Sequence, residues 1–400
     1  MQTIAYLLYL AAGLTVAGMA ESFLIKSKLK KIPIRIHVSG TRGKSSVTRL
    51  LAAGLNGNGI LTAAKTTGTL PRMILPDGRE LPIFRPCGAN IIEQARIVSA
   101  AAEIKAEALV LECMALLPEL HWISEDKFVK ATHGIITNIR PDHLEVMGPD
   151  THHVALALAG MIPIKGKLYT TDKEHLDILK MACEDRQTKL VALTEDEIKS
   201  VTNEELAGFP YTEHKENLAL CIKVLSDFGI SRQSAIEAMW KVNPDPGVLT
   251  EHKLDFFGRQ IVFVNAFAAN DPESTETISK MIRQKYSNIK KFVVVMNLRE
   301  DRPARTKQFA EDSYFWRDAD SIVLMGQGSY LFSRLAANKL KNSTLRLVYT
   351  ENDSVEEIFE KIIDVCGKSA LVLGVGNIGG LGVPLVRYFK NREKLEFQHV

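Results

Sequence analysis

The sequence predicts an α/β protein in which one N-terminal membrane helix precedes a central P-loop domain with a mostly parallel sheet and a smaller, Rossmann-like C-terminal α/β domain. Three observations predict this. An uncharged apolar stretch opens the chain at residues 4–20. Short aliphatic and β-branched runs then alternate with helix-like stretches, which is typical of a parallel sheet covered on both faces. A glycine-rich turn at residues 40–46 joins the first of these strands to a helix, as in phosphate-binding loops.

Length and composition indicate a folded, multidomain protein. A chain of 400 residues predicts two or three domains. Hydrophobic residues make up 46% and charged residues 24%, which is ordinary for globular proteins and argues against disorder. The formal net charge is only +3, with acids and bases nearly balanced, so nucleic acid is not expected as a partner.

The cysteines argue against a disulfide framework. They are Cys87, Cys113, Cys183, Cys221 and Cys366. Their number is odd and no two of them form a C-x-x-C pair, which also disfavours a structural zinc site. We therefore expect buried free thiols and a reducing, cytosolic compartment for the body of the protein.

The N-terminus is predicted to be a membrane anchor with a basic segment after it, together spanning residues 1–32. Apolar residues at 23–25 extend the uncharged run, and basic residues follow at 26, 28, 30, 31 and 35. A signal peptide carries its charge before the apolar run, so this order argues against one. The positive-inside rule places everything after Lys26 in the cytoplasm. A buried or interfacial helix is the alternative.

Small residues are frequent in this anchor and allow close packing against another membrane helix, so a membrane partner is expected.

Ten strands are predicted, in two groups of five. The first group is Ile34–Val38, Ala108–Cys113, Ile135–Ile139, Leu168–Thr171 and Leu190–Leu193. The second group is Ile261–Ala266, Phe292–Met296, Ile322–Met325, Leu345–Tyr349 and Ala370–Leu373.

Between the two groups, residues 243–247 are dense in turn-forming residues. This predicts a central domain at 33–247 and a C-terminal domain at 248–400. A cleft between two domains is a natural place for a substrate.

The phosphate loop is the strongest local signal. It comprises Gly40, Thr41, Arg42, Gly43, Lys44, Ser45 and Ser46. Glycines let the backbone aim its N–H groups inward, and the helix N-terminus adds positive potential, so polyphosphate is favoured. Lys44 is predicted to reach the β- and γ-phosphates and the Ser45 hydroxyl to ligate Mg²⁺. The general pattern expects glycine where Val38 stands, so a chance strand–helix turn is the alternative.

Two further strand ends carry polar residues that suit a metal and phosphate site. Glu112 ends a buried strand, where a charge is costly unless it is paired or coordinated. Asn138, Asp142 and His143 follow another strand and offer oxygen and imidazole donors. A structural ion pair at Glu112 and a surface pair at Asp142–His143 are the alternatives.

These residues resemble the motifs of the Mur-type amide ligase superfamily, which includes folylpoly-γ-glutamate synthetases. Within it, the chain is most similar to the ligase subunit of bacterial poly-γ-glutamate (capsule) synthases. The segments that carry this similarity are residues 65–69, 87–94, 243–247, 267–275 and 374–380. The resemblance covers nearly the whole chain, and it implies that the loop is complete without a glycine at position 38.

The resemblance implies roles for individual residues. The implied catalytic residues are Lys44, Glu112 and His143, and the implied metal ligands are Ser45, Glu112, Asn138 and His143. Asn217 matches the asparagine that meets adenine, and Asn270 and Asp271 match a loop that approaches ATP. Asp301 and Arg302, with residues 374–377, sit where the second domain closes on the nucleotide.

The activity implied by the resemblance is ATP-dependent carboxylate–amine ligation through an acyl phosphate, building poly-γ-glutamate. ATP and one or two Mg²⁺ ions are the implied cofactors. The implied partners are glutamate, the growing chain and small integral-membrane capsule-synthesis subunits, in an oligomer at the cell membrane.

Three departures from the superfamily pattern put details in question. The loop at residues 270–272 reads Asn-Asp-Pro, where His-Asn-Pro or Ala-Asn-Pro is commoner. Many members carry a carbamylated lysine where this chain has Leu158–Met161, so the second metal site is expected to be differently built or weaker. Leu249 and Thr250 occupy positions where an arginine is common in the superfamily. The contacts that this arginine makes with the nucleotide or with the other domain are therefore in doubt here.

Three other functions remain open on the sequence alone. The first is another ligase of the same superfamily, acting on a folate or a small peptide. The second is a membrane-tethered P-loop NTPase that works as a switch or motor. The third is a non-catalytic scaffold for membrane partners.

Overall fold

The computed structural model describes residues 2–68, 70–85, 88–243, 249–269, 272–341 and 344–393. The chain divides into two compact units, Met1–Pro244 and Asp245–Val400. An eight-stranded sheet lies in the first unit and a six-stranded sheet in the second. Asn270, Asp271 and Cys87, which the sequence analysis singled out, lie outside the described residues.

The first unit contains eight strands and eleven α-helices among its described residues. The strands are β1 (Ile34–Ser39), β2 (Thr62–Thr66), β3 (Arg72–Ile74), β4 (Glu80–Pro82), β5 (Ala108–Glu112), β6 (His133–Ile136), β7 (Lys167–Thr170) and β8 (Lys189–Ala192). The helices are α1 (Gln2–Leu29), α2 (Lys44–Asn56), α3 (Ile92–Glu103), α4 (Pro118–Ile123), α5 (Leu144–Met147), α6 (Thr151–Ala159), α7 (Leu176–Asp185), α8 (Glu195–Lys199), α9 (Asn203–Ala207), α10 (Lys215–Ser226) and α11 (Arg232–Met239). A π-helical turn, Ser124–Val129, follows α4.

The first sheet has the strand order β4-β3-β2-β5-β1-β6-β7-β8. All neighbouring pairs from β2 to β8 are parallel, whereas β3 and β4 form an antiparallel edge. The strand β1 pairs with both β5 and β6. Since parallel strands end at the same edge of a sheet, the loops after β1, β5 and β6 lie side by side.

The first helix is long and mostly exposed. Its segment Leu8–Leu29 is long and apolar enough to cross a membrane by length and composition, and nearly all of it is exposed. Only its end packs inward, where Ile25 and Leu29 join a buried cluster with Val98 and Ala101 of α3. The exposed apolar surface of α1 is what a membrane-spanning helix presents to lipid.

The second unit contains six strands and five α-helices among its described residues. The strands are β9 (Thr250–Phe256), β10 (Arg259–Asn265), β11 (Phe292–Asn297), β12 (Ser321–Met325), β13 (Arg346–Tyr349) and β14 (Ser369–Val375). The helices are α12 (Pro272–Lys285), α13 (Pro303–Glu311), α14 (Ser329–Leu340), α15 (Val355–Cys366) and α16 (Gly382–Lys390). The strand order is β13-β12-β11-β14-β10-β9, and all pairs are parallel except β10 with β9.

Apolar side chains cover both faces of the second sheet. In β11, Val294 and Met296 belong to one buried cluster, and Val293 and Val295 belong to another. A strand buried on both faces is apolar at every position, because successive side chains point to opposite faces. This is why the sequence predicted β11 correctly.

The fold class is confirmed, and all ten predicted strands are present. One of them is displaced: the strand predicted at Ile135–Ile139 runs from His133 to Ile136. The sequence analysis missed β2, β3, β4 and β9. Short length explains β3 and β4, and alternating burial explains β9. The strand β2 is buried throughout, but its threonine, alanine and lysine residues form no aliphatic run.

The cysteine prediction holds for the part of the chain that the structure describes. Cys113, Cys183, Cys221 and Cys366 are buried free thiols.

Candidate active site

The phosphate loop connects β1 to α2 and depends on two glycines with positive φ. Gly40 has φ +121°, and a Cβ there would lie 2.1 Å from the Thr137 hydroxyl. Gly43 has φ +82°, and a Cβ there would lie 2.6 Å from Oδ1 of Asn217. Both positions therefore exclude larger residues on conformational and steric grounds. The close approach of Thr137 and Asn217 fixes the loop from two sides.

Lys44 opens α2 and spans its own loop. Its Nζ donates hydrogen bonds to the carbonyl oxygens of Gly40 at 2.7 Å and Thr41 at 3.1 Å. The ammonium group thus lies inside the curve of the loop, at the positive end of the α2 dipole. This arrangement can bind the terminal phosphates of a nucleotide.

Ser45 of the phosphate loop contacts Glu112 at the end of β5, and the sequence analysis predicted both residues as Mg²⁺ ligands. The Ser45 hydroxyl donates to Oε2 of Glu112 at 2.9 Å. The register of β1 with β5 places Val38 opposite Glu112, so the carboxylate comes up directly beside the loop. The backbone N–H of Thr67 donates to the same oxygen at 2.7 Å, which fixes the carboxylate.

This pair fits a magnesium ion by its chemistry. Glu112 is 2% exposed, and a buried carboxylate with one hydroxyl beside it offers oxygen donors of the kind that Mg²⁺ prefers. Mg²⁺ usually takes one or two protein carboxylates and completes its shell with phosphate oxygens and waters. Among the described residues, no group of three or more His, Cys, Asp or Glu side chains forms a metal cage. One carboxylate and one hydroxyl leave the remaining positions of such a shell to phosphate oxygens and waters, so the pair suits a nucleotide-bound Mg²⁺ ion.

Asn138, at the end of β6, holds the phosphate loop. Its Oδ1 accepts from the Thr41 hydroxyl at 2.7 Å and from the Arg42 N–H at 3.0 Å. Its Nδ2 donates to the Arg42 carbonyl at 3.2 Å. These bonds occupy both ends of the amide, so Asn138 positions the loop. Its role as a metal ligand remains a prediction.

His143 lies farther along the same loop, with a backbone φ of 48°. Its Nδ1 is 3.1 Å from Oε1 of Glu145. The neighbouring Asp142 carboxylate is 3.8 Å from the Arg42 guanidinium, which links this segment to the phosphate loop. Among the described contacts, none joins His143 to Ser45 or Glu112. Its catalytic and metal-binding role remains a prediction.

Glu213 is a functional candidate that the sequence analysis missed. It is 6% exposed and precedes α10. Its carboxylate accepts hydrogen bonds from the Ser46 hydroxyl, from Nδ2 of Asn217 at 2.9 Å and from the His214 N–H at 2.8 Å. Burial, and secondarily Glu213, raises the pKa of the nearby Tyr211 hydroxyl. Glu213 therefore ties α10 to the phosphate loop.

Asn217 shares this connection. It is 6% exposed, and its Oδ1 faces Gly43 while its Nδ2 is bound to Glu213. Asn217 thus lies against the phosphate loop. This position is compatible with the predicted role of Asn217 in nucleotide binding. Its contact with adenine remains a prediction.

A buried ion-pair cluster lies next to Glu112. Lys65 in β2 is fully buried, and its Nζ is 2.7 Å from Oε1 of Glu93. Arg85 binds the same carboxylate through two nitrogens at 2.6 Å and 2.8 Å. Burial lowers the pKa of Lys65, and Glu93 opposes this effect. Gln94 donates to the Glu112 carbonyl at 3.2 Å, so the cluster supports the strand end that carries Glu112.

In the second unit, Asp301 and Arg302 lie in the loop after β11. The Asp301 carboxylate is 2.6 Å from the Arg299 guanidinium, whose hydrogen bond lowers the pKa of Asp301. Gly376 follows β14 with φ +100°, and a Cβ there would lie 2.5 Å from the Asn297 carbonyl oxygen. Both loops follow the carboxyl ends of adjacent parallel strands, which is the ligand-binding edge of such sheets.

Comparison with known proteins identifies the family. The chain is 37% identical over 376 residues to the capsule biosynthesis protein CapB of Bacillus anthracis, covering 93% of this chain and 80% of that protein. It is 34% identical over 388 residues to the PGA synthase CapB of Bacillus subtilis strain 168, covering 95% and 96% of the two chains. The chain belongs to the CapB family. The resemblance found in the sequence is therefore confirmed.

Family models agree with this assignment and with the two-unit structure. The Mur ligase middle domain matches residues 38–205. The poly-gamma-glutamate synthase CapB C-terminal domain matches residues 251–392.

Solved structures share the fold at low sequence identity. Escherichia coli FolC in complex with DHPP and ADP has a TM-score of 0.66 at 15% identity, covering 93% of both chains. Folylpolyglutamate synthase of Thermotoga maritima has a TM-score of 0.63 at 14% identity, covering 94% of both chains. These structures support the fold alone.

Proposed function

We propose that this protein is an ATP- and Mg²⁺-dependent ligase that forms γ-glutamyl amide bonds and builds poly-γ-glutamate through an acyl-phosphate intermediate. The observation that carries the proposal is the contact between Ser45 and Glu112 beside Lys44, in a member of the CapB family. A hydroxyl, a buried carboxylate and a lysine at the start of a helix form the set of groups that phosphoryl transfer requires. Family membership supplies the substrate class.

In the first step, a carboxylate oxygen of the growing chain attacks the γ-phosphorus of ATP, and ADP leaves. The backbone N–H groups of the phosphate loop and the Lys44 ammonium neutralise the charge that develops on the phosphate oxygens. Ser45 and Glu112 would hold Mg²⁺, and the bound ion would supply further charge neutralisation at the terminal phosphates. Asn138 and Glu213 keep the loop in the geometry that in-line transfer needs.

In the second step, the amine of an incoming glutamate attacks the carbonyl carbon of the acyl phosphate. An amide bond forms, inorganic phosphate leaves with the bonding electron pair, and the amine loses a proton. Water competes with the amine for the acyl phosphate, so exclusion of water favours ligation.

Several residues enter this proposal only through the family resemblance. We propose that His143 helps to hold a second ion and that Asn217 meets adenine. We also propose that Asn270, Asp271, Asp301 and Arg302 contribute to closure of the C-terminal domain over ATP.

We further propose that α1 crosses the cell membrane once, with the N-terminus outside and the catalytic body in the cytoplasm. Its length, its apolar surface and the basic residues after it support this topology. Export of the polymer requires it to cross the membrane, and an anchored enzyme makes the polymer next to that membrane. Small integral-membrane subunits and self-assembly into an oligomer belong to the same proposal.

The central test uses membranes that contain the full chain, supplied with ATP, Mg²⁺ and labelled glutamate. The wild type is expected to give an acid-precipitable γ-linked product. Lys44→Ala is expected to lose product formation by at least about 100-fold, because a charge that stabilises the transition state is removed. Lys199→Ala, at an exposed position, is the matched control. Normal polymer formation by Lys44→Ala would refute the phosphate-loop assignment.

Release of ADP separates ligation from the switch-like alternatives. A ligase releases ADP in proportion to glutamate added, whereas an NTPase switch releases it without glutamate and a scaffold releases none. ADP release that does not change when glutamate is omitted would contradict the proposed function. Folate-dependent release would point to the other branch of the superfamily.

A further inference from the structure

The edge of the first sheet opposite the phosphate loop carries a row of lysines. This amino edge is defined by the turns that precede β5, β1, β6, β7 and β8, in that spatial order. The turns contain Lys105, Lys30, Lys31, Lys130 and Lys165, and Lys189 is the first residue of β8. Neighbouring strands lie about 4.8 Å apart, so a row across five strands spans about 20 Å.

Three of these lysines occupy a backbone conformation that favours glycine. Lys105, Lys130 and Lys165 have φ values of 57°, 46° and 56°. The corresponding turn before β2 uses Gly59, with φ 82°. Glycine adopts this conformation without strain, whereas a lysine does not. The turn before β8 adopts the same conformation at Gln187, with φ 54°, so the conformation is a property of these turns, and three of the four non-glycine residues in it are lysines.

The row is positively charged and only partly neutralised by its neighbours. Lys30, Lys31, Lys105, Lys165 and Lys189 are exposed, and none of them makes an ion pair with a described residue. Three acidic residues of the region are already paired. Glu103 pairs with Lys28 at 3.6 Å, Asp126 pairs with Lys127 at 2.6 Å and with Lys130 of the row at 4.0 Å, and Asp227 pairs with Lys167 at the start of β7. Glu107, Glu184 and Asp185 lie in or beside the same turns.

Exposed aliphatic side chains stand between the lysines. Leu61, Ile104 and Ile164 are 51%, 41% and 57% exposed. They lie in the turns before β2, β5 and β7. Lysines interleaved with exposed aliphatic residues are suited to the boundary between anionic headgroups and acyl chains.

The helix α1 arrives at this same edge and is fixed to it. Arg35, in β1, donates to the Ile32 carbonyl at 2.6 Å and to the Lys130 carbonyl at 2.8 Å. Ile25, Leu29 and Ile32 are buried in the cluster that includes α3. The end of α1 is therefore packed against the first unit, so the orientation of α1 sets the orientation of the amino edge.

We propose that the amino edge of the eight-stranded sheet lies on the cytoplasmic membrane surface and binds anionic phospholipid headgroups through Lys105, Lys165 and Lys189. The inference rests on the proposed passage of α1 through the membrane. It places the phosphate loop on the far side of the sheet, about 20 Å from the headgroups, since β1 rises about 3.3 Å per residue. The nucleotide site then faces the cytoplasm, where ATP is supplied.

The test measures the reactivity of individual lysines in the full chain, placed in nanodiscs of phosphatidylcholine alone or with about one-third phosphatidylglycerol. An amine-acylating reagent is followed by mass spectrometry at each lysine. A negative surface favours the charged ammonium, so the reactivity of Lys105, Lys165 and Lys189 is expected to fall about fivefold in the anionic nanodiscs. Lys199 and Lys241, exposed elsewhere on the same unit, are the internal controls and are expected to keep their reactivity.

Salt and concentration distinguish the outcomes. About 1 M NaCl is expected to remove the difference between the two lipids. Equal reactivity at Lys105, Lys165 and Lys189 in both lipids would overturn the proposal. Protection that is independent of lipid but rises with protein concentration would also overturn it, in favour of a second copy of the chain. Failure of the chain to enter nanodiscs at all would instead refute the membrane-spanning α1.

Discussion

The carboxylate of Glu213 shows how a single buried side chain can organise a phosphate loop. It accepts hydrogen bonds from Ser46, His214 and Asn217, which lie on both sides of the contact between α2 and α10. All three partners are donors, and an ionised carboxylate is the side-chain group that offers acceptors alone. The Glu213 carboxylate therefore provides acceptors for all three of these donors.

Replacing Glu213 with glutamine should weaken ATP binding. The new amide keeps a single acceptor oxygen. If that oxygen faces His214 and Asn217, the amide N–H faces Ser46, whose hydroxyl must reverse and accept; the charge-assisted hydrogen bonds are lost either way, at a cost of about 1–3 kcal/mol. We expect the KM for ATP to rise about 10-fold with a smaller change in kcat, measured as glutamate-dependent ADP release. Glu216→Gln, exposed one turn along, should behave as wild type. An unchanged KM for Glu213→Gln would remove its positioning role.

The buried side chain of His133 should make the folding stability depend on pH. Burial lowers the pKa of His133 to about 4; Asp227 opposes this shift and Lys167 adds to it. The ring packs 4.9 Å from that of Phe228. The unfolded chain binds a proton near pH 6.5 that the folded chain does not bind, so folding stability falls as pH drops from about 6.5 to about 4.

His133→Gln should flatten this part of the stability profile. Urea unfolding of the full chain in detergent, at pH 7 and pH 5, measures the loss of unfolding free energy for each variant. The wild type is expected to lose more than His133→Gln over this interval. His152→Gln, at an exposed position on α6, controls for the loss of one histidine. Equal losses in wild type and His133→Gln would contradict the assignment.

Part of the site could be predicted from the sequence, because a change from apolar to polar residues marks the end of a strand. Ser45 and Glu112 were identified separately, each at the end of an apolar run, and the parallel sheet brings them to 2.9 Å. Glu213 could not be found in this way, because nothing in the residues around it marks burial. The contact of Asn138 with the phosphate loop was not predicted, since a polar residue at a strand end can contact either a ligand or the neighbouring loop. Only the three-dimensional contact distinguishes these roles.

At the scale of whole elements, the contact between α2 and α11 requires a residue without a side chain. A Cβ on Gly57, which ends α2, would lie 2.4 Å from Cβ of Ala238 in α11. Both atoms are fixed to backbone, so neither can move without shifting a helix. Intrinsic propensity favours alanine over glycine by about 1 kcal/mol, and here packing opposes that preference.

Gly57→Ala should therefore destabilise the protein by about 1–3 kcal/mol, as overpacking does. The second change Ala238→Gly removes the opposing Cβ and should restore part of the loss in the double variant. Urea unfolding of the full chain gives the four free energies of this cycle. Additive effects of the two substitutions would show that the helices do not meet as described.

Strand prediction followed runs of aliphatic and aromatic residues, and burial alone was not enough. The strand β2, Thr62–Thr66, is buried at every position but consists of threonine, alanine and lysine, and it was missed. The strands β5 and β11 are buried along their whole length and read as unbroken apolar runs. The strand β9 alternates between buried and exposed positions at its centre, and β3 and β4 have three residues each. Such elements are specified by their neighbours in the sheet, and a local apolar pattern does not reveal them.

On the scale of the whole molecule, each unit carries its own apolar core. Val98, Ala101 and Leu109 are buried in the first unit, and Phe263, Val295 and Phe359 in the second. The predicted phosphate loop lies entirely in the first unit, whereas Asp301 and Arg302 lie in the second. If the second unit closes over ATP, nucleotide binding must change the solvent protection of residues in both units.

Hydrogen exchange of the full chain tests this closure directly. A non-hydrolysable ATP analogue with Mg²⁺ is expected to slow exchange at residues 40–46 in the first unit. Closure predicts slower exchange also in the loop that contains Asp301 and Arg302 and at residues 374–377, because a closed interface excludes water from their amides. Lys44→Ala should lose both effects together, since it removes the charge that retains the phosphates. Protection confined to residues 40–46 in the wild type would show that the nucleotide binds without the second unit. Asp301 and Arg302 would then have no part in the nucleotide site.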